Sequence, residues 1–209
     1  MHPVFDFVVS IVSPERCAAC DERVAVRTVF CPACACSVVA RPAPSGDDWA
    51  PFVYGGALAH AIQRFKYASR ADLARPLGEL LRRGVPDDLE RAPEVVVPVP
   101  LHPARLVERG FNQATLLAGP AARQLRAPLR PRALERVLDT PRQALLDRAR
   151  RIANLDGAFR ARDPFLVGKR VLLVDDVRTT GATLRACALA LRAAGAREVG
   201  TLVLAEVDV

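Results

Sequence analysis

The chain has 209 residues, which suits one sizeable domain with a small appendage. Hydrophobic residues make up 51% of it, enough for a core, and this excludes an intrinsically disordered protein. No apolar run approaches the roughly 20 residues that a membrane span needs. The apolar stretch Val4–Val12 contains Asp6 and lacks the flanks of a secretory signal, so we expect a cytoplasmic protein without a membrane span.

Positive charge is concentrated in the middle of the chain. The formal net charge is +7, from 30 lysines and arginines against 23 aspartates and glutamates. Between Leu101 and Arg170 there are 15 basic and 6 acidic residues, a local net charge of +9. This segment favours an anionic partner, either the phosphates of a small molecule or a nucleic acid. For any single arginine, a solvated helix face is the alternative.

Three zones follow one another along the chain. Residues 1–40 hold five of the six cysteines and are expected to form a zinc-binding module. Residues 41–48 (RPAPSGDD) have the composition of a linker. Residues 49–209 alternate between helical and strand patterns and are expected to form the main domain.

The first zone carries two C-x-x-C pairs, Cys17–Cys20 and Cys31–Cys34, separated by ten residues. Each pair can turn two thiolates toward one point, and four thiolates satisfy a tetrahedral zinc ion. Two such pairs in tandem favour a structural metal over a redox dithiol. A disulfide pair or a knuckle that no longer binds metal are the alternatives. Cys36 leaves the fourth ligand open, since it could replace Cys34.

The third zone has the order of elements typical of an α/β protein. Apolar residues at a spacing of three to four predict helices, and continuous β-branched runs predict buried parallel strands. We expect a doubly wound, mostly parallel sheet. The predicted elements are helices Ala57–Tyr67 and Leu73–Arg83, strand Val95–Val99, helix Asn112–Leu125 interrupted at Gly119–Pro120, strand Leu129–Val137, the ambiguous segment Gln143–Leu155, strand Arg170–Val174, helix Ala182–Ala194 and strand Val199–Leu204.

The stretch Val171–Thr183 (VLLVDDVRTTGAT) joins a buried strand, two carboxylates and a turn of small hydroxylic residues. Ligands of open α/β sheets bind where the strands end. The backbone amides of Arg178–Thr183 can line a concave site for a phosphate monoester, and Gly181 permits close approach. Asp175 and Asp176 suit the 2- and 3-hydroxyls of an attached ribose. The loop therefore predicts a site for a ribose 5-phosphate.

Three other interpretations of this loop are weaker. Receiver domains carry adjacent aspartates after their first strand, but only 33 residues follow Asp176 here. A Walker B strand requires a glycine-rich loop ending in Gly-Lys-Ser/Thr, which this sequence lacks. A structural turn without a ligand is the remaining alternative.

The loop resembles the motif that binds phosphoribosyl pyrophosphate (PRPP) in type I phosphoribosyltransferases. Over nearly the whole chain, the sequence is similar to the ComF family, associated with DNA uptake in natural competence and with DNA utilization. The ordered combination of motifs is far more specific than the loop alone. Besides the cysteine pairs and the loop, it comprises Tyr54–Leu58, Phe65–Lys66, Val97–His102, Arg109–Gln113, Gln143 with Leu146, Arg151 with Asn154, and Gly157–Phe159.

The resemblance implies a role for each part of the site. Asp175 and Asp176 would be the catalytic carboxylates, and Mg²⁺ would accompany PRPP. Arg136–Asn154 takes the place of a mobile lid, with Gln143 and Arg151 as its functional residues. The residues expected to bind the phosphates of PRPP are Arg178, Thr179, Thr180, Gly181, Ala182 and Thr183 after one strand, and Pro98, Val99, Pro100, Leu101, Arg105 and Arg109 after the other.

The sequence departs from the family pattern at two positions. Related sequences often have a second basic residue at the position of Leu138 and a small apolar residue at that of Arg178. Because of these two differences, the family's lid is a poorer guide to the lid of this chain. The pattern of the ribose-phosphate site is kept. The residue that would activate an acceptor is not identified, although His60 and His102 are candidates.

The implied function is PRPP binding in DNA uptake or utilization. As an enzyme, the protein would displace pyrophosphate from the anomeric carbon of PRPP through an oxocarbenium-like transition state. The alternatives are a non-catalytic PRPP sensor and a single-stranded DNA-binding factor that meets competence helicase or DNA-processing proteins. Aromatic residues are only 5% of the chain, so Phe111, Tyr67 and Trp49 are the candidates for base stacking.

Overall fold

The structure is a computed structural model that describes residues 15–42, 46–67, 70–86, 92–138 and 157–208. Single 3₁₀ turns lie at Ala71–Leu73 and Pro164–Leu166. The helices and strands are α1 (Pro32–Ala35), β1 (Asp48–Trp49), β2 (Phe52–Val53), α2 (Gly56–Tyr67), α3 (Ala74–Arg82), β3 (Val95–Pro98), α4 (Pro103–Arg109), α5 (Gln113–Leu125), β4 (Leu134–Arg136), β5 (Phe159–Ala161), β6 (Arg170–Arg178), α6 (Ala182–Ala193) and β7 (Glu198–Glu206).

A parallel sheet lies at the centre of the fold. Its strand order is β1-β7-β6-β3, and β2 pairs with β7 further along the same edge. The longest ladder joins β6 to β7, with Leu173 opposite Thr201. The carboxyl ends of β3 and β6 lie side by side, where Val99 N–H donates to Val174 C=O at 2.8 Å. Ligand sites of such sheets form at this end.

Helices cover both faces of the sheet. Successive residues of a strand point to opposite faces, so each central strand contributes side chains to two cores. Val96, Leu172 and Leu204 belong to the core that α2, α3 and α5 cover. Val97 and Leu173 belong to the core that α6 and the antiparallel strands β4 and β5 cover. The predicted α/β fold with a doubly wound, mostly parallel sheet is therefore confirmed. No helix in the described ranges has both the length and the apolar character for crossing a membrane.

Two predicted boundaries differ from the structure because of tertiary contacts. Strand β6 continues four residues beyond Val174, since its ladder with β7 extends to the pair Arg178–Glu206. Helix α5 passes through Gly119 and Pro120 without interruption. Pro120 is buried there against Gly78 of α3, where an added Cβ would lie 3.0 Å from the proline Cγ. The glycine thus allows α3 to pack closely on the proline of α5.

The predicted strand Leu129–Val137 is wrong in extent. Only Leu134–Arg136 forms a strand, and it pairs antiparallel with β5 outside the main sheet. Leu129 makes an isolated parallel bridge to Val96 on the side of β3 that faces away from β6. The ambiguous segment Gln143–Leu155 lies outside the described residues.

The cysteine segment packs on α2. Cys17, Ala18 and Phe30 are buried in the same core as the apolar face of that helix. Arg64 of α2 donates to the Ala18 carbonyl at 3.1 Å. At the other end of the helix, the Ser37 hydroxyl accepts from Ala57 N–H at 3.0 Å. Both ends of α2 are therefore fixed by the segment that carries the cysteines.

Candidate functional site

Four thiols come together in the N-terminal segment. The sulfur atoms of Cys17, Cys20, Cys31 and Cys34 all lie within 4.8 Å of one another, and the Cys20 and Cys31 sulfurs are 3.7 Å apart. A tetrahedron with Zn–S bonds of ~2.3 Å has sulfur–sulfur edges of roughly 3.8 Å. The arrangement therefore fits a structural zinc ion, and the predicted four-cysteine cluster is confirmed.

The structure separates Cys36 from this cluster. Its exposed thiol donates to the Pro32 carbonyl at 3.2 Å. Within the cluster, burial opposes ionisation of Cys17, but the backbone N–H groups of Cys31, Cys20 and Ala19 outweigh it and lower the pKa to about 6. These N–H groups thus favour the thiolate form that a metal ligand requires.

The two carboxylates after Val174 belong to strand β6 and lie on opposite faces of the sheet. Asp176 is buried on the face that α2 covers, where Lys66 Nζ lies 2.8 Å from its Oδ1 atom. Its Oδ2 atom is buried and has no hydrogen-bond partner among the described residues. Asp175 is half-buried on the other face, and its Oδ1 accepts from Asp176 N–H at 2.9 Å. The two groups therefore differ in environment.

The electrostatics of Asp175 favour its neutral form. Burial and then repulsion by Asp176 raise the pKa of Asp175 to about 7, although Lys66 and Arg136 attract its charge. For Lys66, burial works against the charge, but attraction by Asp176 outweighs it and raises the pKa. At neutral pH the site therefore contains a buried ion pair beside a carboxyl that titrates.

The residues after β6 form a polar concave loop. Gly181 has φ +70° and is the N-cap of α6, and an added Cβ would lie 3.0 Å from a terminal guanidinium nitrogen of Arg185. The Thr180 hydroxyl accepts from Ala182 N–H at 3.4 Å. The loop and the end of β6 together line a depression. Its lining residues are Asp175, Val177, Arg178, Thr179, Thr180, Gly181, Ala182, Thr183 and Leu184. The predicted residues of this half of the site are thus brought together.

The residues at the end of β3 lie beside strand β6, where Val99 N–H donates to the Val174 carbonyl. Pro98, Val99 and Pro100 are buried, so their side chains face the protein, and Leu101 is half-buried. Asn112 fixes the turn: its amide donates to the Val99 carbonyl at 3.0 Å, and its side-chain oxygen accepts from Ala114 N–H at 3.0 Å. This double role of Asn112 was not predicted, although the residue lies in a motif of the resemblance.

Both arginines expected at the pyrophosphate belong to helix α4. Arg109 donates to Gln113 Oε1 at 2.6 Å, and its guanidinium carbon lies 5.4 Å from the centre of the Tyr67 ring. Arg105 is half-buried in the same helix. Gln143 and Arg151, expected in the lid, lie outside the described residues.

The chain is similar in sequence to known proteins. Residues 113–208 match the family model of the phosphoribosyl transferase domain. The chain is 31% identical over 197 residues to the DNA utilization protein YhgH of Escherichia coli K12, covering 88% of this chain and 86% of that protein. It is 38% identical over 149 residues to Competence protein F of Haemophilus influenzae. That match covers 68% of this chain and 65% of the relative, slightly less than two thirds.

A solved structure of the glutamine PRPP amidotransferase from B. subtilis, complexed with ADP and GMP, aligns with a TM-score of 0.46 and 24% identity. The alignment covers 68% of this chain and 30% of that one.

The fold and the matched residues define a protein with a phosphoribosyl transferase domain. More narrowly, the chain belongs to the ComF family of competence and DNA utilization proteins. The resemblance that the sequence motifs predicted is thereby confirmed.

Proposed function

We propose that the protein binds PRPP with Mg²⁺ at the carboxyl ends of β3 and β6, as a phosphoribosyltransferase acting in DNA uptake or utilization. The observation that carries the proposal is the polar loop Thr179–Thr183, which joins the strand that carries the two carboxylates to the start of α6. Backbone N–H groups at a helix start favour a phosphate, and carboxylates accept hydrogen bonds from sugar hydroxyls. A ribose 5-phosphate satisfies both requirements within one ligand.

The chemistry of this site is displacement of pyrophosphate from the anomeric carbon of PRPP. Mg²⁺ supplies charge neutralisation at the pyrophosphate oxygens. Asp176 accepts a hydrogen bond from the ribose, and both carboxylates of the strand place negative charge near the developing cation. The turn after β3, with Arg105 and Arg109 on the helix that follows, holds the pyrophosphate. Most of the protein's contribution is positioning.

The four-cysteine cluster is proposed to hold a structural zinc ion. The fit of the sulfur–sulfur distances to a tetrahedron supports this assignment. Because the same segment fixes both ends of α2, the metal would also order the helix that carries Lys66 to the site.

Titration calorimetry of the full chain tests the function. We expect one PRPP site per chain in the presence of Mg²⁺, with ribose 5-phosphate and pyrophosphate each competing for part of it. Absence of PRPP binding in a folded chain would overturn the proposal. Release of pyrophosphate on addition of candidate acceptors then separates an enzyme from a PRPP sensor.

A second candidate function is single-stranded DNA binding, which the names of the relatives and the exposed ring of Tyr67 favour. Tyr67 is 72% exposed, and the guanidinium of Arg109 lies over its ring in a cation–π contact. Trp49 is buried and donates to the Gly46 carbonyl, and Phe111 stacks on Phe65 with ring centres 5.3 Å apart. Of the three aromatic candidates, Tyr67 is therefore the one that offers its ring to a base.

A further inference from the structure

Lys66 reaches the ribose carboxylates from a part of the chain far away in sequence. It is the eleventh residue of α2, and its Nζ atom lies 2.8 Å from Asp176 Oδ1. The lysine side chain is 21% exposed and that of Asp176 is 4% exposed. The pair is thus largely withdrawn from water, at the carboxyl end of the sheet where the ligand site lies.

The position of Lys66 is fixed by its helix. Its neighbour Phe65 is fully buried and stacks on Phe111, which follows α4. The preceding residue, Arg64, is bonded to the Ala18 carbonyl and forms an ion pair with Asp21 in the cysteine segment. The backbone of Lys66 is therefore held from two sides, and its ammonium is directed to one carboxylate oxygen.

Fold stability alone does not account for this pair. Removing two charges from water is expensive, and apolar residues in place of a buried pair are often no less stable. The pair is also incomplete, because Oδ2 of Asp176 is buried without a partner among the described residues. An unmet acceptor adds a desolvation penalty that a ligand hydroxyl would remove. The arrangement suits a carboxylate that is kept ready for a ligand.

We propose that Lys66 is a positioning residue of the phosphoribosyl site: by binding Oδ1 of Asp176, it holds this carboxylate as a charged acceptor whose Oδ2 meets a ribose hydroxyl. The inference rests on the proposed function, since the hydroxyl belongs to PRPP. Asp176, paired with Lys66, is then the charged partner of the ribose, whereas Asp175 lies on the opposite face of the sheet. Among the described residues, Asp176, Lys66 and Arg136 of β4 influence the charge of Asp175, and Asp175 in turn acts on Cys187 of α6.

The test compares PRPP titrations of the full chain in three variants. Lys66→Met keeps the apolar stem and removes the charge, and Lys66→Arg keeps the charge. Lys169→Met is the matched control, because Lys169 is the only other lysine and pairs with Glu94 at the amino end of β6. We expect a tenfold or greater loss of affinity in Lys66→Met, a change within about threefold in Lys66→Arg, and none in Lys169→Met. Wild-type affinity in folded Lys66→Met would overturn the inference.

A second measurement needs no PRPP. The carboxyl pair Asp175–Asp176, followed by carbon NMR, should take up its first proton at a higher pH in Lys66→Met than in the wild type, because the two neighbouring carboxylates lose the positive charge that compensates them. An unmoved titration of the carboxyl pair would contradict the geometry of the ion pair. If the wild type does not bind PRPP but the titration shift between wild type and Lys66→Met is observed, the ion pair is correct and the proposed function is wrong.

The double variant Lys66→Met with Asp176→Asn covers the case in which Lys66→Met does not fold. It leaves neither partner of the pair as an isolated buried charge, so the fold should be retained. A loss of PRPP affinity of tenfold or more would support the role of the pair at the ligand. Wild-type affinity in the folded double variant would mean that the pair is only structural.

Discussion

The guanidinium of Arg178 binds both carboxylate oxygens of Glu206, with an Nε–Oε1 distance of 2.7 Å and an Nη2–Oε2 distance of 3.0 Å. The same guanidinium donates to the Thr201 hydroxyl at 3.1 Å. The pair joins the last residue of β6 to the last residue of β7. Arg178 therefore uses its side chain to join two strands of the sheet. Its backbone remains the part available to a phosphate.

Replacing Arg178 by Met should therefore weaken the fold more than the ligand site. Losing a charged, bidentate hydrogen bond costs about 1–3 kcal/mol, which urea unfolding would detect. PRPP affinity should stay within about threefold of the wild type. Glu206→Gln is the matched control, with a similar loss of stability. A large drop in PRPP affinity at unchanged stability would place the Arg178 side chain in the phosphate site.

The pKa of Asp175 gives a pH-dependent prediction with a definite sign. Burial and the charge of Asp176 raise this pKa to about 7 in the fold, whereas an unfolded aspartate titrates near ~3.9. The folded state then binds the proton more tightly, so Asp175 lowers stability progressively as pH rises from about 4 to 7. Asp175→Asn should remove that loss and gain about 2–4 kcal/mol relative to the wild type above pH 7.

Urea unfolding across this pH range checks the sign. The control is Asp72→Asn, because the hydrogen bond from Arg70 lowers the pKa of Asp72. The charged Asp72 carboxylate stabilises the fold of the wild type at high pH, and this stabilisation is lost at low pH. The Asp72→Asn variant should therefore become less stable than the wild type as pH rises. A difference between Asp175→Asn and the wild type that does not vary with pH would contradict the account.

The sequence predicted the parts of the site that depend on local patterns. The cysteine spacing predicted the four-thiol cluster, and the run of β-branched residues predicted the strand that leads to Asp175 and Asp176. Alternation along that strand could have predicted opposite faces for the two carboxylates, but the strand was expected to end at Val174. Its continuation depends on pairing with β7, which is a long-range contact.

The contacts that join distant segments were not predicted. The motif Phe65–Lys66 was recognised as part of a family pattern, but only the packing of α2 on the sheet brings Lys66 to Asp176. Likewise, the bond of Asn112 to the Val99 carbonyl requires α5 to begin beside the end of β3. Neither periodicity nor spacing contains that information.

Metal analysis tests the cysteine cluster. Full-length protein purified without chelator should contain about one zinc per chain. Cys17→Ser with Cys20→Ser should lose the metal and lower Tm, since Cys17 and Ala18 belong to the core under α2. Cys36→Ser, which changes a thiol of the same segment outside the cluster, should keep both. A fully loaded double variant would refute the assignment.

Single-stranded DNA binding predicts a salt dependence and a role for Tyr67. A groove that contacts four phosphates should give a log–log slope of affinity against salt near −3, at about −0.7 per contact. Tyr67→Ala should weaken binding about fivefold or more, because stacking contributes roughly 1–3 kcal/mol per base. Phe165→Ala is the matched control, since that ring is exposed, lies 4.4 Å from an arginine and precedes the amino end of β6. Binding that ignores salt, or an equal effect of both variants, would reject this surface.

The phosphate site is tested most directly by the PRPP affinity of Thr179→Val with Thr180→Val, measured with Mg²⁺ by titration calorimetry. Both hydroxyls belong to the loop that lines the depression after β6. Each hydrogen bond to a charged phosphate contributes roughly 1.5–3 kcal/mol, so affinity should fall at least tenfold. Thr28→Val, which removes a hydroxyl in the cysteine segment, should bind like the wild type. Equal affinity in the folded double variant and the wild type would contradict PRPP binding at this loop.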